Sequence, residues 1–222
     1  MYLTPWQVGI HLKDDHFLRP ELQDYLGHKP LHYDLSIIPD LLSSNQTISF
    51  TGKAKIELLV EDYPGFIIPI NMFAIDIRKL GGKVRRQSGV EEDLKFSSIS
   101  YNLQEDNIIM FATNPLMEPG DIVDLEVEYD ANVNFNVFNG YGVWKQPCDG
   151  SQDPAAKHCW FTQFEAAGAR QLFPCFDEPR AKATFDVRVA RTEGWSTLFN
   201  TPVAYTEPVE NMEVIKLFPC YL

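Results

Sequence analysis

Apolar and polar residues alternate along much of this chain with a period of two. In Leu31-His32-Tyr33-Asp34-Leu35-Ser36-Ile37 the odd positions are apolar, and Pro39-Asp40 ends the run. From Thr47 to Val60 the even positions Ile48, Phe50, Ala54, Ile56 and Leu58 are apolar, and Gly52 is predicted to bulge or bend that strand. Phe66-Ile67-Ile68-Pro69-Ile70 reads as a short buried run. Ala74 to Leu80 is a further strand, with Gly81-Gly82 predicted to turn the chain. Lys95–Leu103 and Asn107–Ala112 predict a hairpin across Gln104-Glu105-Asp106. Pro119-Gly120-Asp121 is a turn signal before the strand Ile122–Tyr129, and Thr184–Ala190 alternates as well. Many short strands with scarcely any helical period predict an all-β fold, an antiparallel β-sandwich or saddle.

Two stretches resist the strand pattern. Residues 1–29 mix Trp6, Phe17, Leu22 and Tyr25 with charges and show no clean period. They read as an irregular or helical N-terminal arm with one short helix from Arg19 to Leu26, which leaves 30–222 as the β-domain. Ala166–Arg170 is predicted to form one or two helical turns. No internal repeat or low-complexity tract is present.

Composition narrows the function classes. The chain has 222 residues, 45% hydrophobic and 23% charged, which is globular. Its net charge of −12 argues against nucleic acid, because neutralising phosphates takes clustered basic residues. The longest apolar stretch, Phe66–Ile75, is broken by Pro69 and Asn71, so no membrane span is expected. The first twenty residues hold Lys13, Asp14 and Asp15 and do not read as a signal peptide. A secreted precursor that has already lost its leader remains compatible with this.

The four cysteines are Cys148, Cys159, Cys175 and Cys220. Cys148 and Cys159 flank a polar loop of a length that a disulfide closes easily. The alternative is two unpaired small hydrophobes. The sequon Asn45-Gln46-Thr47 makes Asn45 a glycosylation candidate. Both features lean toward an extracellular chain or ectodomain, with a cytoplasmic one still open. His28 and His32 have the spacing of two zinc ligands on a helix, but Pro30 disrupts a helix there and no Glu follows His28. No metal site, Ser/His/Asp signature or phosphate loop is expected, and no cofactor is assigned to this chain.

The most informative stretch runs from Trp160 to Phe185. Gln163 and Glu165 lie two apart on an extended segment and would share a face, with Thr162 and Phe164 on the other. A carboxylate beside an amide can receive an ammonium group through charge-assisted hydrogen bonds. The plainer reading is a solvated strand face. Phe173-Pro174-Cys175-Phe176-Asp177-Glu178-Pro179 reads as a rigid packed corner, with Asp177 and Glu178 capping or pairing with Arg170 or Lys182.

Thr162-Gln163-Phe164-Glu165, Ala169-Arg170, Phe173–Pro179 and Lys182-Ala183-Thr184-Phe185 closely resemble the N-terminal domain of the aminopeptidase N-like zinc metallopeptidases, the gluzincin aminopeptidases. Leu31–Leu35 and the Phe50-Thr51-Gly52 bend look like that family's first strands. The resemblance implies a β-sandwich or saddle packed on a thermolysin-like catalytic domain, with zinc in the full-length enzyme. It also implies that Glu165 helps bind the free α-amino group of a peptide and that Gln163 lines the same pocket. The family's His-Glu-x-x-His motif and Gly-x-Met-Glu-Asn loop are absent here, so no residue of this chain is assigned a catalytic role. Asn139–Trp144 stands where family members have a Gly-Phe-Tyr-Arg-Ser-like run, and the family sandwich would continue past Leu222. Three readings follow. One is an N-terminal domain that helps anchor a peptide's amino terminus for a zinc aminopeptidase. Another is a naturally short, non-catalytic relative that binds peptides or proteins. The third is a structural β-domain with no ligand.

Overall fold

The computed structural model describes residues 27–40, 47–62, 65–102, 107–134, 141–148, 158–209, 212–217 and 220–221. Its strands are β1 (His28–Pro39), β2 (Thr47–Val60), β3 (Ile67–Asn71), β4 (Ile75–Arg85), β5 (Glu91–Asp93), β6 (Lys95–Asn102), β7 (Asn107–Asn114), β8 (Ile122–Asn134), β9 (Gly142–Pro147), β10 (His158–Gln163), β11 (Thr184–Thr192), β12 (Val203–Val209), β13 (Met212–Leu217) and β14 (Cys220–Tyr221). Helix among the described residues is confined to one 3-10 turn, Ala169–Gln171. The all-β fold is therefore as the alternation predicts. The expected helix Arg19–Leu26 lies outside the described residues.

One large sheet has the order β12-β13-β11-β1-β2-β8-β4-β5, with β14 also paired to β11. A second has the order β3-β7-β6, and β9 and β10 form a pair of their own. The period of two decides which side chains are inside. On β2, Ile48, Phe50, Ala54, Ile56, Leu58 and Val60 are buried, and on β8 so are Val123, Leu125, Val127, Tyr129, Ala131 and Val133. Ile68 and Ile70 of β3 and Ile108 and Met110 of β7 belong to the same hydrophobic cluster, so one core serves both sheets. The intervening residues of the large sheet carry charge. Lys53 pairs with Glu126, and Arg85 pairs with Asp124 at 2.6 Å and with Glu57. Such partly exposed pairs contribute at most about 1 kcal/mol each, but opposite charges facing each other disfavour a slipped register.

Three local expectations are corrected. Gly52 does not bulge its strand: β1–β2 pairing is unbroken from Ser36↔Lys53 to Pro39↔Phe50, and β2–β8 pairing from Thr47 to Leu59. The register shift on β1 falls between Pro30 and His32 instead. A Cβ at Gly52 would sit 2.1 Å from the Tyr129 ring, so the glycine makes room for that tyrosine and need not distort the ladder. Gly81 and Gly82 do not turn the chain either. Both lie inside β4, opposite Glu126 and Leu125 of β8, whose ladder supplies their backbone partners. The turn comes at Arg86–Val90, closed by Arg86 N–H to Val90 O at 2.8 Å. Residues 165–168 form turns rather than a helix, and only Ala169–Gln171 becomes helical.

β1 and β11 are the parallel neighbours of the large sheet, with Tyr33 opposite Phe185. Their rings stack at 4.8 Å with an interplanar angle of 6°. Because β1 opens the described chain and β11 comes about 150 residues later, this pairing draws the Trp160–Ala183 segment against the sheet. That segment holds the candidate site.

Candidate functional site

β10 ends at Gln163, so Glu165 stands in the turn that follows it and not on a strand. Strand alternation therefore does not by itself put the two side chains together. Both are nonetheless exposed, while Phe164 between them packs against the core. Thr162 is exposed too, unlike a residue on an inward face. Glu165 forms no ion pair among the described residues, which leaves its carboxylate open to a solvent-borne cation.

The turn is braced from three sides. The Phe164 carbonyl accepts the Gly168 N–H at 2.8 Å, and the Tyr141 hydroxyl accepts the Ala167 N–H at 3.1 Å. Gly142, opposite Gln163 in the β9–β10 ladder, has φ +68°, and a Cβ there would lie 1.9 Å from Gln171 Oε1. Only glycine fits that combination of backbone and space. The buried Gln171 amide accepts the Val143 N–H at 3.3 Å, tying the 3-10 turn to β9.

The Phe-Pro-Cys corner follows the 3-10 turn and is tied to β3. Asn71, at the end of β3, exchanges backbone hydrogen bonds with Cys175, at 2.8 and 3.1 Å. Its Oδ1 accepts the Asp177 N–H at 3.0 Å. Asp177 in turn binds Arg170, and Glu178 pairs with Arg180 at 2.7 Å rather than with Lys182. The Tyr33 hydroxyl accepts the Phe176 N–H at 3.1 Å, and the Tyr129 hydroxyl donates to the Leu172 carbonyl at 2.9 Å. Burial pushes both phenols and the Cys175 thiol above their ordinary values, which keeps all three neutral. Cys175 is a buried free thiol.

Cys148 and Cys159 are disulfide-bonded, with Cα atoms 5.0 Å apart. Asn45 lies outside the described residues. His28 and His32 both lie on β1, where no helical face exists. His32 Nδ1 is 2.7 Å from Thr184 Oγ1, whose hydroxyl is 3.2 Å from the Leu31 carbonyl. No group of three or more His, Cys, Asp or Glu side chains converges as a metal site among the described residues. The described residues therefore do not offer the three convergent ligands that a catalytic zinc centre needs. No described helix is long and apolar enough to cross a membrane.

Sequence reasoning missed Asn71, Tyr141, Gly142 and Gln171. Asn71 had a signal, since it interrupts an otherwise apolar run. A polar residue inside a buried strand must find partners. Gly140-Tyr141-Gly142 advertised a backbone constraint. Nothing local marks Gln171 as buried.

Residues 29–219 match the Peptidase M1 N-terminal domain family. The chain is 30% identical over 177 residues to endoplasmic reticulum aminopeptidase 1 of Mus musculus, covering 78% of this chain and 17% of that protein. It is 27% identical over 191 residues to the mitochondrial aminopeptidase 2 of Saccharomyces cerevisiae, covering 85% and 18%. Aminopeptidase M1-A of Oryza sativa subsp. japonica is 28% identical over 174 residues, with 78% and 18% covered. The chain thus spans less than a fifth of the length of these relatives.

Proposed function

Because this chain belongs to the family of peptidase M1 N-terminal domains, we propose that it helps anchor the free amino terminus of a peptide substrate for a zinc aminopeptidase. Residues 30–222 would serve as the β-domain, and a separate thermolysin-like domain would supply the metal chemistry. The observation that carries the reading is Glu165: an exposed carboxylate with no cation partner among the described residues, standing on a turn braced by Tyr141 and Gly168.

An α-ammonium group carries three N–H donors. Glu165 accepts one or two of them as charge-assisted bonds, and the Gln163 amide oxygen accepts another. The anchor selects against N-acetylated peptides, which lack the charge. It fixes where the first residue lies, and so which peptide bond reaches the partner domain's reacting atoms. The 222-residue chain has no His-Glu-x-x-His run, and hydrolysis of an aminoacyl reporter by this chain alone is not expected.

The test is a titration of the 15N-labelled chain with a tripeptide bearing a free or an acetylated amino terminus. An exposed single-sided ion pair is worth about 0–1 kcal/mol, so binding to the lone domain is weak. The free amine should shift the Gln163 side-chain amide and the 164–168 backbone signals, and the acetylated peptide should not. Glu165→Gln should abolish the difference. Equal shifts with both peptides, or selectivity that survives Glu165→Gln, would overturn the reading.

A further inference from the structure

The β9–β10 pair is unusual in this fold, because neither strand is hydrogen-bonded into a larger sheet among the described residues. An isolated two-stranded hairpin is marginal on its own. Its connection, Cys148 to Lys157, is ten residues, whereas hairpin loops of about two to five residues fix strand register. The register here must be set by something else.

The ladder shows what. Gly142 faces Gln163, Trp144 faces Phe161, and Gln146 faces Cys159. Side chains two apart share a face, so Cys148, Gln146, Trp144, Cys159, Phe161 and Gln163 all lie on one side of the hairpin. Val143 and Lys145 on the other side are buried, and Trp160 meets Phe50 edge to face at 6.3 Å. The outer row therefore begins with the Cys148–Cys159 disulfide, continues through the Trp144–Phe161 stack at 5.6 Å, and ends at Gln163. Cys159 and Gln163 are four residues apart on a single strand, about 13 Å. A slip of β10 by one residue would turn Gln163 to the inner face.

We infer that Cys148 and Cys159 are positioning residues: their disulfide replaces a tight turn as the register clamp of the β9–β10 hairpin, and so keeps Gln163 on the hairpin's outer face, at the end of the strand that leads into the Glu165 turn. The substrate role of that alignment rests on the anchor reading above. The clamp itself does not. Cys148 is exposed, so a dithiol reductant reaches the bond. Attack by a reductant thiolate on one sulfur forms a mixed disulfide and releases the other cysteine as a thiolate. The reductant's second thiol then displaces the first. Two electrons and two protons pass to Cys148 and Cys159, and the reductant leaves as its own disulfide. The sandwich keeps its core, because no large-sheet pairing runs through either cysteine.

The experiment is amide hydrogen exchange by NMR on the 222-residue chain, oxidised, treated with dithiothreitol, and as the Cys148→Ser/Cys159→Ser variant. Exchange across 142–147 and 158–163 should quicken by about 10- to 100-fold, the upper figure being what a cross-link over this loop length implies. The Gln163 side-chain amide signals should move or broaden, and β2 and β8 amides should stay within about twofold of the oxidised protein. Unchanged exchange in the hairpin overturns the clamp. Loss of protection throughout β2 and β8 also overturns it, since the disulfide would then be a staple of the whole domain. Failure of the anchor reading shows separately, as an oxidised chain that does not distinguish free from acetylated tripeptide.

Discussion

Asp177 holds Arg170 twice, accepting its side-chain Nε–H at 3.0 Å and its backbone N–H at 3.2 Å. The side chains are 10% and 17% exposed. One carboxylate therefore fixes both the cation and the start of the 3-10 turn that carries Gln171. The Arg170 carbonyl in turn accepts the Phe73 N–H at 2.9 Å, joining this corner to the segment after β3.

Removing Asp177 should be severe. Asp177→Ala takes a charged acceptor from the Arg170 guanidinium in a largely dry setting and frees a backbone N–H, a loss of about 2–5 kcal/mol. Asp177→Asn keeps acceptor geometry without charge and should cost less, on the order of 1–3 kcal/mol. Urea denaturation at neutral pH ranks the two, and an Asp177→Ala protein as stable as the parent would refute the buried-pair account.

Gly52 and Gly81 make a controlled comparison, since both lie within strands of the large sheet. A Cβ on Gly52 lands 2.1 Å from Tyr129, a fully buried ring whose hydroxyl is held by the Leu172 carbonyl. Gly52→Ala should cost about 3 kcal/mol or more, from overpacking and the lost hydrogen bond together. A Cβ on Gly81 meets nothing within 4 Å. Gly81→Ala should be neutral or stabilise by up to about 1 kcal/mol by restricting the unfolded chain. Similar losses at both sites by thermal or urea unfolding would contradict the packing explanation.

Alkaline conditions should destabilise the domain. Burial raises the Tyr33 and Tyr129 hydroxyls and the Cys175 thiol, while in the unfolded chain they ionise near about 10 and about 8.5. A raised folded value means the fold prefers the neutral form. That contribution is whole below the unfolded value and is lost as pH rises above it. Unfolding free energy should therefore decline above about pH 8.5 and more steeply above about pH 10. Cys175→Ala should lower stability at neutral pH but flatten the decline between those two values, so that the two curves converge as pH rises. A wild-type curve that is level to pH 10.5 would sink the assignment.

Much of the sandwich was legible because burial follows alternation. The even positions of β2 and the odd positions of β1 and β8 face the core as written. What sequence could not convey was glycine's purpose. Gly52 and Gly81-Gly82 carry the same local signal as bends, yet Tyr129 and the β8 ladder, both distant in sequence, decide their role. The candidate site divides the same way. The peptide around Gln163 and Glu165 stands out, but its braces come from Tyr141, Gln171 and Asn71. Those residues become partners only through strand pairings that no local pattern encodes.

Gly142 and Gln171 offer the sharpest test of that bracing. Gly142→Ala meets two obstacles. Its φ of +68° is strained for alanine by about 1–2 kcal/mol, and its Cβ would lie 1.9 Å from Gln171 Oε1. The amide must swing away, which leaves the buried Val143 N–H without its acceptor at a cost of about 1–3 kcal/mol. Gln171→Ala alone also unpairs Val143, but it clears the space. In the double variant the clash is gone and the hydrogen bond is lost only once. The two substitutions should therefore be non-additive, with the double variant more stable than the sum predicts by about 1–3 kcal/mol. Gln163 is paired with Gly142, so its side-chain amide signals should shift in Gly142→Ala and return toward the parent position in the double variant. Strict additivity in urea denaturation, with Gln163 signals unmoved throughout, would show that Gly142 is kept for its backbone angle alone and that Gln171 has no part in placing Gln163.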